Sequence, residues 1–406
     1  MLDHAHHPAV DLPLRQLDGV RVGKERRPVA GIVERGAPLQ RLEGATLAGA
    51  RVTDPAGLWD RLAHGSTWSP LRPTDAAARA RGHTPAVTTW LERLRVELPV
   101  VQAGMGGGIA GHALASAVSA AGGLGTVGFS NPADLAAQVA AARRLTDRPL
   151  AVNLLLPFAR RAHFEAASQA DVVVTFWGAP KRRTSKVWIH QCGSPEEARA
   201  ARQAGADAVI AQGVEAGGHL RAALPAAELL ARIREASPDA YPVLSAGGLA
   251  DRADVTARLD AGAEAAVCGT RFLMSDECGA HPAYKDRLLE ARETVVTELF
   301  GAGWPAPHRV VPNEATRRWL GHDPRGPGWL RALDRATAPA LSRLPASLQL
   351  RMAARQTPGR PPFGPIAPSR GGPASLVEAG PLYAGACIDR IRDIRPAGEL
   401  VRALAP

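Results

Sequence analysis

A strict alternation constrains this chain more than any other feature. Eight short apolar runs lie at 100–103, 125–128, 151–154, 172–176, 186–191, 208–212, 243–246 and 265–268. Stretches of helical periodicity separate them, at 112–121, 132–144, 158–168, 195–203, 226–235 and 252–261. Strands that are apolar throughout, rather than at every second residue, are buried on both faces, as parallel strands under a layer of helices are. Parallel neighbours also need long crossovers, which the intervening helices supply. The pattern therefore predicts an α/β fold closed into a (β/α)8 TIM barrel; an open doubly wound sheet is the competing arrangement. Asn131-Pro132 and Ser194-Pro195 mark helix starts, each a capping side chain followed by a residue with no N–H to satisfy. The link 176–186 is too short for a full helix, so one crossover is abbreviated.

The flanks read differently. Residues 1–87 show weak periodicity, many Pro and Gly and scattered charge, with one apolar patch at 56–62 that suits a short helix. They read as a poorly ordered N-terminal extension, or as sequence translated upstream of the true start. The barrel is expected over 88–280, opening with a helix-like stretch at 88–97. Residues 281–375 break the alternation with Pro- and Gly-rich stretches at 301–307, 324–328 and 358–373 and helices at 282–292 and 312–320. They are expected to form a small lid subdomain after the eighth strand. Residues 376–406 are expected to pack back on the barrel.

The formal charge of +10 invites a nucleic-acid reading, but its distribution opposes one. The net is +3 over 1–87, +1 over 88–320 and +6 over 321–406. Arg supplies 45 of the 49 basic residues, and aromatics are only 4%, too sparse for a base-stacking platform. The excess reads as compositional bias in the flanks rather than as chemistry. No run of ~18 apolar residues is present, so no membrane span is expected. The first residues lack a basic-then-apolar signal pattern, so a cytoplasmic location is expected. Cysteines at 192, 268, 278 and 387 form no CxxC pair, which suits reduced, buried thiols and no metal site.

In a parallel barrel chemistry gathers at the carboxyl ends of the strands. Strand one ends in Gln102-Ala103-Gly104-Met105-Gly106-Gly107-Gly108, and strand three carries Asn153. Strand six runs into Gln212-Gly213-Val214-Glu215-Ala216-Gly217-Gly218-His219. Strand seven ends in Ala246-Gly247-Gly248 and strand eight in Gly269-Thr270-Arg271. The last two turns let backbone N–H groups approach a phosphate with no Cβ in the way, and the following helix starts add a positive end. These two turns together are therefore a candidate site for a phosphorylated ligand. The flat backbone of Ala103 and Gly104, edged by Met105, suits a planar ring. Asn153 can donate and accept hydrogen bonds in the mouth. His219 is the candidate catalytic residue, since imidazole exchanges protons near neutral pH. Glu215 reads as a tie for its own loop and His190 as structural.

Taken together these motifs resemble the nitronate monooxygenase (2-nitropropane dioxygenase-like) family. The resemblance runs from about residue 98 to 404 and is carried by VVQAGMGGG (100–108), AGGLGTVG (121–128), AVNLLLP (151–157), AQGVEAGGH (211–219), PVLSAGGLAD (242–251), CGTRFLMSDE (268–277) and YAGACIDRIRDIRPAGELV (383–401). It implies a barrel with a smaller additional domain that binds FMN non-covalently. Ala103, Gly104, Met105 and Asn153 would then face the flavin ring, with Gln212 nearby and Gly217 and Gly218 along it. Gly247, Gly248, Gly269 and Thr270 would hold its phosphate. His219 matches the family's histidine, which acts as base at the carbon next to the nitro group or binds the nitronate. The implied reaction oxidises alkyl nitronates, such as propionate 3-nitronate, with O2 to a carbonyl compound and nitrite. Two alternatives remain: an FMN-dependent NAD(P)H reductase of enoyl thioesters or quinones, and a catalytically inactive FMN-binding barrel. The partners implied are a small-molecule nitronate and O2, with neither nucleic acid nor membrane; a homodimer is compatible.

If the extension is not part of the native protein, mass spectrometry will find no peptides from residues 1–60. Recovering such peptides overturns that reading.

Overall fold

The computed structural model describes residues 90–237 and 240–406. The expectations for residues 1–87 lie outside the described residues. Eight parallel strands follow one another as β1 Val100–Gln102, β2 Gly125–Val127, β3 Leu150–Leu155, β4 Val172–Phe176, β5 Val187–Cys192, β6 Ala208–Gln212, β8 Val243–Ala246 and β9 Ala266–Cys268. A two-residue strand, β7 Gly218–His219, lies between β6 and β8 outside this sheet. The order is β1-β9-β8-β6-β5-β4-β3-β2. The ring closes where Gln102 N donates to Leu124 O and Leu124 N to Val100 O, both at 3.0 Å, beside a parallel bridge from Val101 to Leu124. The result is a TIM barrel, as the alternation predicts.

Every residue of β1, β2, β4, β6, β8 and β9 is buried, which is why the runs carry no polar alternation. Side chains such as Val101, Val174, Ile210 and Leu244 fill the interior, together with Trp90 and Leu91 of α1 (Trp90–Arg93). The outward faces pack under α2 (His112–Ala120), α3 (Pro132–Leu145), α4 (Arg161–Ala166), α5 (Pro195–Gln203), α6 (Ala226–Glu235) and α7 (Arg252–Asp260). The caps are as expected: Asn131 accepts from Asp134 N at 3.1 Å and Ser194 from Glu197 N at 3.2 Å, each ahead of a first-turn proline.

Three predicted elements differ in extent. The helix-like stretch expected over 88–97 is helical only at Trp90–Arg93 among the described residues, because Arg95 (φ 59°) turns the chain and Val96 N donates back to Leu91 O. The helix expected over 158–168 starts only at Arg161, because Phe158 N and Ala159 N turn back onto Leu155 O and His163 Nδ1 accepts from Arg160 N. The helix expected over 312–320 is α10 (Glu314–Trp319), its start set by Asn313 and Thr316, each side chain accepting the other's backbone N–H. The crossover from β4 to β5 contains no helix: Trp177 (φ 62°) and Gly178 (φ 84°) turn the chain sharply after β4.

After β9 come α8 (Thr270–Leu273), α9 (Pro282–Glu290), β10 (Val295–Thr297), β11 (His308–Val311), α11 (Gly328–Leu341), α12 (Ala346–Ala354), α13 (Leu376–Ala379), β12 (Leu382–Tyr383) and α14 (Ala397–Leu404). β10, β11 and β12 form a small antiparallel sheet, and β7 joins it through β11, with His219 opposite His308 and Gly218 opposite Arg309. The added sheet thus reaches into the loop after β6. The C-terminal segment packs back on the barrel, Leu400, Val401 and Leu404 meeting Leu114, Val118 and Val255. Buried Arg271 ties it down, donating to the Asp393 carboxylate at 2.5 Å and to Asp393 O at 2.6 Å. All four cysteines are free and buried, and burial pushes their thiols up, Cys192 and Cys387 to about 12.

Gly125 lies so close to α2 that a Cβ there would sit 1.9 Å from Ala115 O. Gly125→Ala is expected to destabilise the fold by about 3 kcal/mol or more, because backbone, not a flexible side chain, must yield. Thermal unfolding checks this; an unchanged midpoint would refute the packing.

Candidate active site

The carboxyl ends of the strands open into one cavity of about 1270 Å³. Ala103, Gly104, Met105, Asn153, Gln212, Gly217, Gly218, His219, Gly247, Gly248, Gly269 and Thr270 all line it, so the structure brings every sequence-nominated residue together.

The turn after β1 is shaped by steric exclusion. A Cβ on Gly104 would stand 2.2 Å from Asn153 Cβ, so only glycine lets strands one and three meet there. The turns after β8 and β9 form a cradle. Gly247 (φ 120°) and Gly248 (φ 75°) adopt a backbone that side chains avoid. Among the described residues the backbone N–H groups of Gly247, Gly248 and Gly269 find no acceptor within the protein. Beside them the Thr270 hydroxyl accepts from Gly385 N at 2.8 Å, with its own hydrogen left to donate.

The loop after β6 is tied at both sides. The Glu215 carboxylate accepts from Ala226 N at 2.9 Å, at the start of α6, and stays out of the cavity lining. Arg309 donates to Val214 O from both Nε and Nη2, at 3.1 and 2.8 Å. Gln212 Nε2 donates to His219 O at 3.2 Å, while its Oε1 is buried without a partner. A Cβ on Gly217 would stand 2.5 Å from the Ala384 carbonyl carbon, so the loop lies flat on the C-terminal segment.

His219 is held by this ladder and by aromatic packing. Its ring stacks on Trp304, centroids 3.6 Å apart and planes 11° apart. Phe158 and Trp177 meet Trp304 edge-on at 5.3 Å each. His219 Nε2 is sealed from solvent and unpartnered. Burial, and secondarily the neighbouring His308, hold the imidazole well below the usual histidine range, so it is neutral. His308 is buried and also neutral, lowered by burial to about 4. Its tautomer follows from its contacts: Nδ1 donates to Ala306 O at 2.8 Å and Nε2 accepts from Phe300 N at 3.4 Å. His190 packs inside the barrel wall against the Thr175 hydroxyl at 2.8 Å, consistent with a structural role.

Sequence reasoning missed Trp304, His308 and Tyr383, which surround His219 from the added sheet and its loops. The signal was present as a Trp and a His in an otherwise small-residue stretch, 301–308. It also treated the C-terminal arginine excess as incidental. Three of those arginines, Arg343, Arg355 and Arg360, line the cavity, joined by Arg160.

A family model described as nitronate monooxygenase matches residues 88–174 and 158–406. A Mycobacterium tuberculosis protein named (3aS,4S,5R,7aS)-5-hydroxy-7a-methyl-1-oxo-octahydro-1H-indene-4-carboxyl-CoA dehydrogenase is 32% identical over 267 residues, 61% of this chain and 72% of that protein. A probable nitronate monooxygenase of Bacillus subtilis is 31% identical over 264 residues, 52% of this chain and 76% of that protein. The solved nitroalkane oxidase of Streptomyces ansochromogenes superposes with a TM-score of 0.60 at 30% identity, covering 76% of this chain and 95% of that one.

The buried histidines make stability depend on pH. His308 and His190 titrate at about 4 when folded against 6.5 when exposed, so the unfolded chain takes up protons first as pH falls. Their contribution is full above the unfolded value and is lost as pH drops from there towards the folded one, on the order of 3 kcal/mol per imidazole. His308→Gln should flatten the fall in stability over that window, read by chemical denaturation at several pH values. An unchanged slope would refute a neutral, buried His308.

Proposed function

The chain belongs to the nitronate monooxygenase family and is a flavin-dependent oxidoreductase; on that footing we propose that it uses FMN to oxidise alkyl nitronates with O2, giving a carbonyl compound and nitrite. The observation that carries this reading is the convergence of a neutral, desolvated His219 and an open N–H cradle on one cavity.

The residues present fit FMN. The cradle of Gly247, Gly248 and Gly269, with the Thr270 hydroxyl, would hold its phosphate, because unsatisfied N–H groups with no Cβ in front of them suit an anion. The turn Ala103-Gly104-Met105, Asn153, Gln212, Gly217 and Gly218 would line its ring, and the buried, unpartnered Gln212 Oε1 is an acceptor awaiting a donor there. When bound, the flavin supplies the electron transfer and the reaction with oxygen.

The protein's own work is orientation, proton handling and exclusion of water. His219, kept neutral by burial, can accept a proton from an acidic carbon beside a nitro group or donate a hydrogen bond to the nitronate. Trp304, stacked on the imidazole, fixes its plane and covers one face. The hydrogen bond from Gln212 to His219 O and the pairing with β11 fix its backbone.

A second reading, NAD(P)H-dependent reduction of an enoyl thioester or quinone on the same flavin, is favoured by one observation: a relative at 32% identity is named as a dehydrogenase of a CoA thioester.

The purified protein is expected to show the visible spectrum of oxidised flavin, or to acquire it with FMN, and to release nitrite from an alkyl nitronate. His219→Asn should keep the spectrum and lower kcat/KM by about 10²–10⁴-fold. A protein that stays colourless with FMN overturns the flavin assignment. Rapid anaerobic bleaching by NADPH, with no nitrite formed, overturns the nitronate reading in favour of the reductase.

A further inference from the structure

The cavity is larger than a pocket for a single ligand. Pockets for a single drug-sized ligand run to roughly 300–1,000 Å³, whereas this one measures about 1270 Å³. Its inner end holds the N–H cradle and His219. Its outer end is built by the hairpin of α11 and α12, which the small nitronate reading leaves unused.

The wall and the rim of this outer part differ in chemistry. Leu344, Leu350 and Met352 line it, and Leu350 and Met352 leave 56% and 40% of their surface exposed. Around the opening stand Arg160, Arg343, Arg355 and Arg360, all exposed, and none has a carboxylate partner among the described residues. Residues 328–360 carry six arginines against a single acid, Asp334. That acid is buried away from the rim, its carboxyl pushed up to about 7 by burial and the nearby Glu298. The only carboxylate lining the cavity among the described residues, Asp134, accepts from Asn131 Nδ2 at the start of α3. The rim therefore carries four guanidinium groups with no carboxylate partner among the described residues, and their planar forks suit phosphate and stack on aromatic bases. A nitronate with a single charge would leave most of that charge unmatched.

We propose that the rim is a second anion site, which takes the phosphate-bearing end of an elongated nucleotide-type substrate whose arm lies along the apolar hairpin wall and whose reactive end reaches His219. Two sources share that chemistry, coenzyme A thioesters and nicotinamide dinucleotides. The proposal rests on the flavin reading, which assigns the inner cradle to a different phosphate.

The test is calorimetric titration of the FMN-loaded protein with coenzyme A, with NADPH and with inorganic pyrophosphate, over a range of salt. Failure to load is visible in the spectrum beforehand and counts against the flavin reading alone; the titration is then run on the protein as purified. At least one nucleotide is expected to bind, more weakly as salt rises, and the one that binds names the source. Arg343→Glu/Arg355→Glu/Arg360→Glu should weaken that binding by about tenfold or more. These side chains are exposed, so the fold should persist. If the reversed variant does not fold, the neutral triple Arg→Gln variant is expected to weaken binding in the same direction. No nucleotide binding up to about 1 mM, binding of pyrophosphate alone, or variant affinity equal to wild type overturns the proposal.

Discussion

The two-residue ladder between Gly218–His219 and His308–Arg309 is the contact on which the site depends. A barrel loop eight residues long, carrying three glycines, has little reason of its own to hold one shape. Pairing with β11 gives its backbone groups fixed partners and sets His219 beside His308. The same strand places Arg309 against Val214 O, and the loop leading into it places Trp304 over the imidazole. The catalytic candidate is thus positioned by an element nearly ninety residues further along the chain, while the barrel supplies only the floor beneath it.

The environment so created around His219 seals several polar atoms from solvent. Gln212 Oε1, Trp177 Nε1 and His219 Nε2 are all buried without partners at or near the cavity. Each such group costs stability, roughly 1–3 kcal/mol, unless something arrives to satisfy it. Together with the unsatisfied N–H groups at the cavity's other end, they are the groups that the proposed ligand would satisfy. The neutrality of both histidines follows from the same desolvation, so proton affinity and ligand affinity share one physical origin.

Much of this was legible in advance, and for identifiable reasons. The eight barrel strands fall within a residue or two of their predicted bounds because burial on both faces writes itself as uninterrupted apolar runs. Gly247 and Gly248 of the cradle were legible because a positive φ that side chains avoid writes itself as paired glycine after a strand. The ladder of β7 was not, since a two-residue strand, Gly-His, has no periodicity and its partner is remote. Trp304 sat in a stretch that reads as loop, and nothing local says that it stacks on His219. The arginines of the rim were counted but not placed, because net charge per segment is blind to which face of a hairpin the charges share.

The composition of the added sheet has a consequence for how such a molecule can change. Its strands come from 218–219, 295–297, 308–311 and 382–383, so no single excision frees it. Exchanging residues 281–375 for another barrel's insert would take away the strand opposite His219, and with it the geometry of the reaction centre. The hairpin at 328–354 contributes no strand to that sheet. It is no detachable cassette either: Leu330 is buried in one core with Phe300, Val310 and Phe363, so the segment proposed to choose the substrate also backs the strand that holds His219.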